Sequence, residues 1–234
     1  MVFPIFGKYP CAATIPLAID SQETSGVGHN STTSPLTWPF NNVSGTFLLV
    51  GVTVNAVTEG AAPTVTGVTY NGVAMTAVPG ASVSSFVSFA GSFIALYYLI
   101  SPATGFNTVS VSFAGTDEQY LDAICGAISF RGASALAPVG NGVNASNTTG
   151  SSTVATVAVP GTTSGDYVVS LVATGTSVGS ATAPTTLSWL LNISTSDGAD
   201  NAAMGQQTTS GGTVNPTYSV TADFWFIVAA EVFA

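Results

Sequence analysis

The side chains of this sequence that could carry chemistry are few and far apart. Its single histidine, His29, stands in Gly26-Val27-Gly28-His29-Asn30. A hydrolytic triad needs a serine on a strained turn, an imidazole and an acid held together. Nothing in the spacing brings such partners to His29, which reads as a solvated or contact-forming loop residue. Zinc sites built from His and Cys are out of reach for the same reason, because Cys11 and Cys125 have no ligand types beside them. Cys125 lies in the apolar run Ile124-Cys125-Gly126-Ala127-Ile128 and reads as a buried thiol, with a disulfide to Cys11 as the alternative.

Acidic residues gather twice, at Asp117-Glu118 with Asp122 and at Asp197-Gly198-Ala199-Asp200-Asn201. Calcium takes several hard oxygen ligands in an irregular cage, so Asp197, Asp200 and Asn201 are candidate calcium ligands. The spacing is not that of an EF-hand, and a turn stabilised by Asp and Asn side chains accounts for the same residues. A carboxylate pair could also serve glycoside hydrolysis, but only across a cleft. Trp38, Tyr97, Tyr98, Trp189 and Trp225 could stack on sugars, yet each sits within an apolar stretch that favours core packing. No catalytic constellation and no cofactor are expected.

The elements that would position these residues are strands. Thr46-Phe47-Leu48-Leu49-Val50-Gly51-Val52-Thr53-Val54 is apolar on both sides, with Leu48, Val50, Val52 and Val54 pointing one way and Phe47 and Leu49 the other. That is the pattern of a central strand covered on both faces. Asn71-Gly72 separates two alternating runs, and a type I′ turn needs φ > 0 at both central residues. The expected register sets Tyr70 opposite Val73, Val68 opposite Met75 and Thr66 opposite Ala77, with one face apolar. Further strands are expected at 13–20, 36–40, 83–89, 93–100, 108–113 and 120–130, with 21–34 as a loop. Residues 136–152, rich in Gly, Asn, Ser and Thr, divide these from a second run at 153–159, 166–173, 186–191, 202–207, 214–221 and 224–233. No segment has a capped helical period, so the fold class is all-β.

Charged residues make up only 6% of the 234 residues, Lys8 and Arg131 are the only Lys or Arg, and the net charge is −9. Nucleic acid and anionic membrane surfaces both reward clustered Lys and Arg, so neither is an expected partner. No apolar run reaches the roughly 20 residues of a membrane helix; the stretch 224–234 is short and interrupted by Glu231. The alternation also lacks the polar lumen face of an outer-membrane barrel, and the start does not read as a secretory signal. Residues 1–12 have no period of either kind and read as an extended arm, and 13–234 as a single β-sandwich domain. An internal echo relates Ser44-Gly45-Thr46-Phe47-Leu48-Leu49-Val50-Gly51-Val52 to Ser164-Gly165-Asp166-Tyr167-Val168-Val169-Ser170-Leu171-Val172, which favours one sandwich of two related halves.

Through 45–52, the hairpin 65–76 and Ala95-Leu96-Tyr97-Tyr98-Leu99, the chain resembles a family of β-sandwich domains found in tailed-phage virion proteins and bacterial surface proteins. The resemblance implies an antiparallel, jelly-roll-like β-sandwich with a short N-terminal arm. It transfers no catalytic residue. It is nearest in type to capsid decoration, or cement, proteins, and so implies a homo-oligomer, with a trimer favoured, on the virion surface. The implied partners are the major capsid protein or other virion subunits. Phe3, Ile5, Phe6 and Tyr9 would be the contact residues of the arm. Low charge suits such work, since few ions need desolvating at an interface. The alternative is a carbohydrate-binding or adhesion module on a tail fibre or cell surface.

Overall fold

The computed structural model describes residues 15–28, 34–56, 62–87, 90–114, 121–195 and 198–234, and its regular elements are all strands. The first nine are β1 (Ala18–Gly28), β2 (Leu36–Asn42), β3 (Phe47–Ala56), β4 (Thr64–Tyr70), β5 (Val73–Ala74), β6 (Thr76–Val87), β7 (Ala90–Ile100), β8 (Gly105–Ala114) and β9 (Leu121–Arg131). The rest are β10 (Val143–Thr156), β11 (Val159–Thr162), β12 (Tyr167–Thr174), β13 (Val178–Ala181), β14 (Thr186–Thr195), β15 (Gly198–Thr208), β16 (Gly212–Val214) and β17 (Thr217–Val232). All pairings are antiparallel, and the architecture is that of a β-sandwich.

The two halves of the chain follow one plan. In the first, a sheet ordered β1-β9-β3-β7-β6 is covered on one face by a smaller sheet, β2-β8-β4-β5. In the second, the order is β10-β17-β12-β15-β14. Here β10 and β17 are long, and their far ends continue into a covering layer with β11, β16 and β13. The ladder Val154↔Ser219, Ala155↔Tyr218, Thr156↔Thr217 carries on in the same register to Val159↔Val214. Equivalent strands also keep equivalent registers. Phe47 lies opposite Ile100 and Phe130, as Tyr167 lies opposite Thr208 and Val232; Thr76 lies opposite Tyr98, as Thr186 lies opposite Gln206. The echo between 44–52 and 164–172 therefore joins two strands with the same place in the architecture.

The two large sheets pack face to face. Phe47, Leu49, Leu96, Ile124, Ile128 and Phe130 from the first meet Val169, Leu171, Trp189, Met204, Phe226 and Val228 from the second in one apolar core. Beneath it, Leu48, Val50, Val52 and Val54 pack with Trp38, Phe40, Tyr70, Val109 and Val111 of the first covering sheet. Above it, Val168, Val172, Ile227 and Trp225 pack with Val157, Val159, Val178 and Tyr218. The division of side chains along β3 expected from its sequence is the one observed. The sheet margins also meet reciprocally: β1 touches β14, and β6 touches β10, the partners of the pair under the correspondence just given. At the second margin Gly142 N–H donates to the Pro79 carbonyl at 2.7 Å and Asn144 Nδ2 to the Gly80 carbonyl at 3.0 Å. A contact in which each surface meets the equivalent of the other is that of a two-fold dimer, here within one chain.

Four local expectations are corrected. Residues 21–28, expected in a loop, continue β1 along β9. The side chains at 21–26 have no apolar alternation because β1 is a half-exposed margin held by backbone bonds and by Thr24 Oγ1, which donates to the Cys125 carbonyl at 3.2 Å. Residues 143–152, expected to divide the halves, are the start of the similarly exposed margin β10. The hairpin keeps Tyr70 opposite Val73, and Met75 N–H donates to the Val68 carbonyl at 2.8 Å. Beyond that the chain leaves β4 and Thr76 and Ala77 pair with Tyr98 and Tyr97, so Thr66 and Ala77 are not partners. This crossing ties the covering sheet to the large one. Val73, expected on the apolar face, is 53% exposed because the covering sheet ends there.

Candidate functional site

The end of the first sandwich where β3 begins and β7 and β9 finish is built around two side chains. Asn42 is fully buried; its Nδ2 donates to the carbonyls of Gly45, Pro102 and Ala103 at 3.1–3.2 Å, and its Oδ1 accepts from Gly45 N–H at 3.0 Å. Asp20, on β1, accepts from the N–H groups of Val43, Ser44 and Gly45 at 3.0–3.1 Å, from Ser44 Oγ at 2.6 Å and from Ser129 Oγ at 3.3 Å. Partial burial pushes its carboxyl up, but the hydrogen bonds from Ser44, Gly45 and Ser129 more than reverse this, so it titrates below its ordinary value. Three consecutive N–H groups converging on one carboxylate make an anion nest occupied by the protein's own side chain.

Beside this loop is a cleft of about 350 Å³ lined by Ile15, Pro16, Ser44, Thr46, Arg131 and Gly132. Arg131 is exposed and is the only Lys or Arg among the described residues. Ile15, Val43 and Ile100 are 65%, 61% and 39% exposed at this same end. Their proximity follows from the register: Ile100 lies opposite Phe47, and Ser101 N–H donates to the Thr46 carbonyl at 2.8 Å. This end of the sheet thus exposes three aliphatic side chains, one of them in the cleft with Arg131.

The second half closes its equivalent loop differently. Thr163 occupies the place of Val43, and its N–H donates at 2.7 Å to Oε1 of Glu231 on β17 rather than to an acid from the first strand. Asp166 lies within hydrogen-bonding reach of Glu231 and accepts from Ala234 N–H at 2.8 Å. Thr209 clamps the same turn, its hydroxyl donating to the Thr163 carbonyl and its N–H to the Asp166 carbonyl. Both acids are buried, at 6% and 4% exposure. Burial raises the Glu231 carboxyl; the Thr163 N–H opposes this, while the charge and hydrogen bond of Asp166 add to it.

The other expected positions are dispersed. The contact residues Phe3, Ile5, Phe6 and Tyr9 lie outside the described residues, as do Cys11, His29, Asp117, Glu118 and Asp197. Asp200 pairs with Ile193 within β15, and Asn201 is buried between Asn192 and Thr174 in the same sheet, so these two stand in a strand rather than in the expected turn. No group of three or more potential His, Cys, Asp or Glu metal ligands occurs among the described residues. Cys125 is free and fully buried; burial pushes its thiol up to about 12, with the Thr53 backbone opposing. Trp38, Trp189 and Trp225 are all at least nine-tenths buried, as core packing requires.

Gly175-Thr176-Ser177-Val178-Gly179 has the spacing of a nucleophile elbow but runs from the turn after β12 into β13, with no helix following it. Its Ser177 hydroxyl pairs with Thr221 Oγ1 at 2.6 Å, and no histidine is available among the described residues. Asp20 and Asn42 escaped the sequence reading because each stands among other polar residues, and what sets it apart is partners brought from elsewhere in the chain: residues 43–45 and Ser129 for Asp20, Pro102 and Ala103 for Asn42. Glu231 left a trace, as the single charge in the run 224–234. Compared with protein-family models, curated proteins and solved structures, the chain matches none.

Proposed function

We propose that this chain is a structural protein that works by burying surface against other protein subunits, of the type that decorates or cements an assembled phage shell. The observation that carries this reading is the set of exposed apolar side chains at one end of the first sandwich, Ile15 in the wall of the Arg131 cleft and Val43 and Ile100 beside it, which residues 1–14 immediately precede in sequence. An arm bearing Phe3, Ile5, Phe6 and Tyr9 leaves from a surface that itself exposes apolar side chains. Together they supply the aromatic and aliphatic anchors that interface cores use. The strand orders β1-β9-β3-β7 with β2-β8-β4-β5 support a jelly-roll topology, in which two Greek keys form two facing sheets. The proposed partners are the major capsid protein or other virion subunits, and the proposed assembly is a homo-oligomer, with three copies favoured.

The test is deletion of residues 1–12, followed by measuring occupancy on purified particles by cosedimentation. Occupancy should fall at least tenfold while the deleted chain keeps its far-ultraviolet spectrum and melting temperature. Undiminished occupancy by a folded variant would remove the arm from the interface. A sugar-binding reading would have to use groups other than the three indoles, since those are in the cores.

A further inference from the structure

The loops 43–45 and 163–165 occupy equivalent places in the two halves, each leading into a central strand, and each is tied by a carboxyl group, which takes three N–H groups in the first loop and that of Thr163 in the second, where Gly165 N–H donates to the Thr209 carbonyl instead. The two clasps are chemically opposite. Asp20 receives donors from Val43, Ser44, Gly45 and Ser129 and is complete as an anion. Glu231 receives the Thr163 N–H and faces a second carboxyl, Asp166, which already accepts from Ala234 N–H. Both groups are buried, so an ionised Glu231 would set its charge beside another acid with little water to screen it, and the arrangement favours a protonated Glu231.

We propose that Glu231 is a proton-operated clasp: protonated, it ties loop 163–165 to the end of β17 beside Asp166, and loss of that proton loosens this end of the second sandwich while the Asp20 clasp of the first stays shut. Every element packed around the pair contributes neighbours. Asp166 is followed by Tyr167 at the start of β12; the end of β15 contributes Gln207, Thr208 and Thr209, none of which titrates; the segment before β10 contributes the Gly140 N–H, which donates to the Glu231 carbonyl at 3.0 Å; and the residues after β17 contribute the Ala234 N–H that holds Asp166. Among the described residues, no cation contributes to holding Glu231. Opening would therefore reach Gly140, whose bond lies on the segment joining the two halves.

The sign follows from the proton count. Folding favours protonated Glu231, so this group stabilises the fold below its ordinary range and that contribution is lost as pH rises through its elevated value. Asp20 behaves oppositely, stabilising above its ordinary range and losing its effect as pH falls.

Amide exchange on the full chain, corrected for intrinsic rates, tests the proposal between about pH 4 and about pH 8, the interval that a raised carboxyl crosses. Protection of the Thr163 and Gly140 amides should fall by about tenfold or more across it. Protection of the Val43, Ser44 and Gly45 amides should hold. Glu231→Gln keeps an acceptor for Thr163 and adds a permanent donor toward Asp166, so it should preserve protection and abolish its pH dependence. Asp166→Asn should do the same and decides the matter if the first variant does not fold. Protection at Thr163 that is flat with pH in the wild type, or that falls equally in the variants, would overturn the clasp.

Discussion

At the scale of residues, the close fit of the halves depends on missing side chains as much as on present ones. A methyl added to Gly126 would come within 2.2 Å of Trp189 Nε1, and one added to Gly51 within 2.7 Å of Met204 Cε. Both glycines lie on the first large sheet and both neighbours on the second. Gly126→Ala should therefore cost about 1–3 kcal/mol by overpacking, read as a lowered urea midpoint with an unchanged slope. A midpoint equal to wild type would mean that the indole can move aside without loss. The sequence displays Gly126 inside an apolar run but offers no sign of its partner, because the contact crosses from one half to the other. The burial of Cys125 in that same run was legible, since no polar residue interrupts its neighbours.

At the scale of elements, what could be read from the sequence was whatever had two covered faces or a demanding turn. β3 and β9 announce their dual burial by continuous apolar residues. The turn at Asn71 and Gly72 has φ of 51° and 75°, the values that the residue pair predicted in sign. Gly72→Ala should cost about 1 kcal/mol or slightly more, because alanine must adopt the left-handed conformation there. A thermal melt is sufficient to check this, and an unchanged melting temperature would show that the turn relaxes. The margins β1 and β10 could not be read in the same way. Their Ser, Thr, Gln and Asn side chains stay partly in water while the backbone pairs, so no apolar period marks them as strands. The place of Asp200 and Asn201 in β15 was not legible for a related reason: polar residues in a strand resemble polar residues in a turn when their neighbours in space are unknown.

At the scale of the whole molecule, the central core belongs equally to both halves, and this predicts how the chain unfolds. Leu171→Ala removes atoms packed against the first sheet at Gly51 and should destabilise by about 2–5 kcal/mol. The loss should appear in one transition shared by both sandwiches, seen as coincident calorimetric and fluorescence melts. Two separated transitions, with only the later residues affected, would mean that each half stands alone. The echo between 44–52 and 164–172 made the repetition visible, but a strand covered on both faces does not reveal what covers it. The reciprocal meeting of β1 with β14 and β6 with β10 has a further consequence. Two separate copies joined this way would be bound to show the same surface twice. One continuous chain is released from that rule. Its two outer faces, one carrying Thr37, Ser110 and Thr69 side by side and the other the hydroxyl pairs Thr156–Thr217 and Ser180–Ser219, are free to differ residue by residue. A single molecule can thus address two unlike neighbours from opposite sides with one shared geometry.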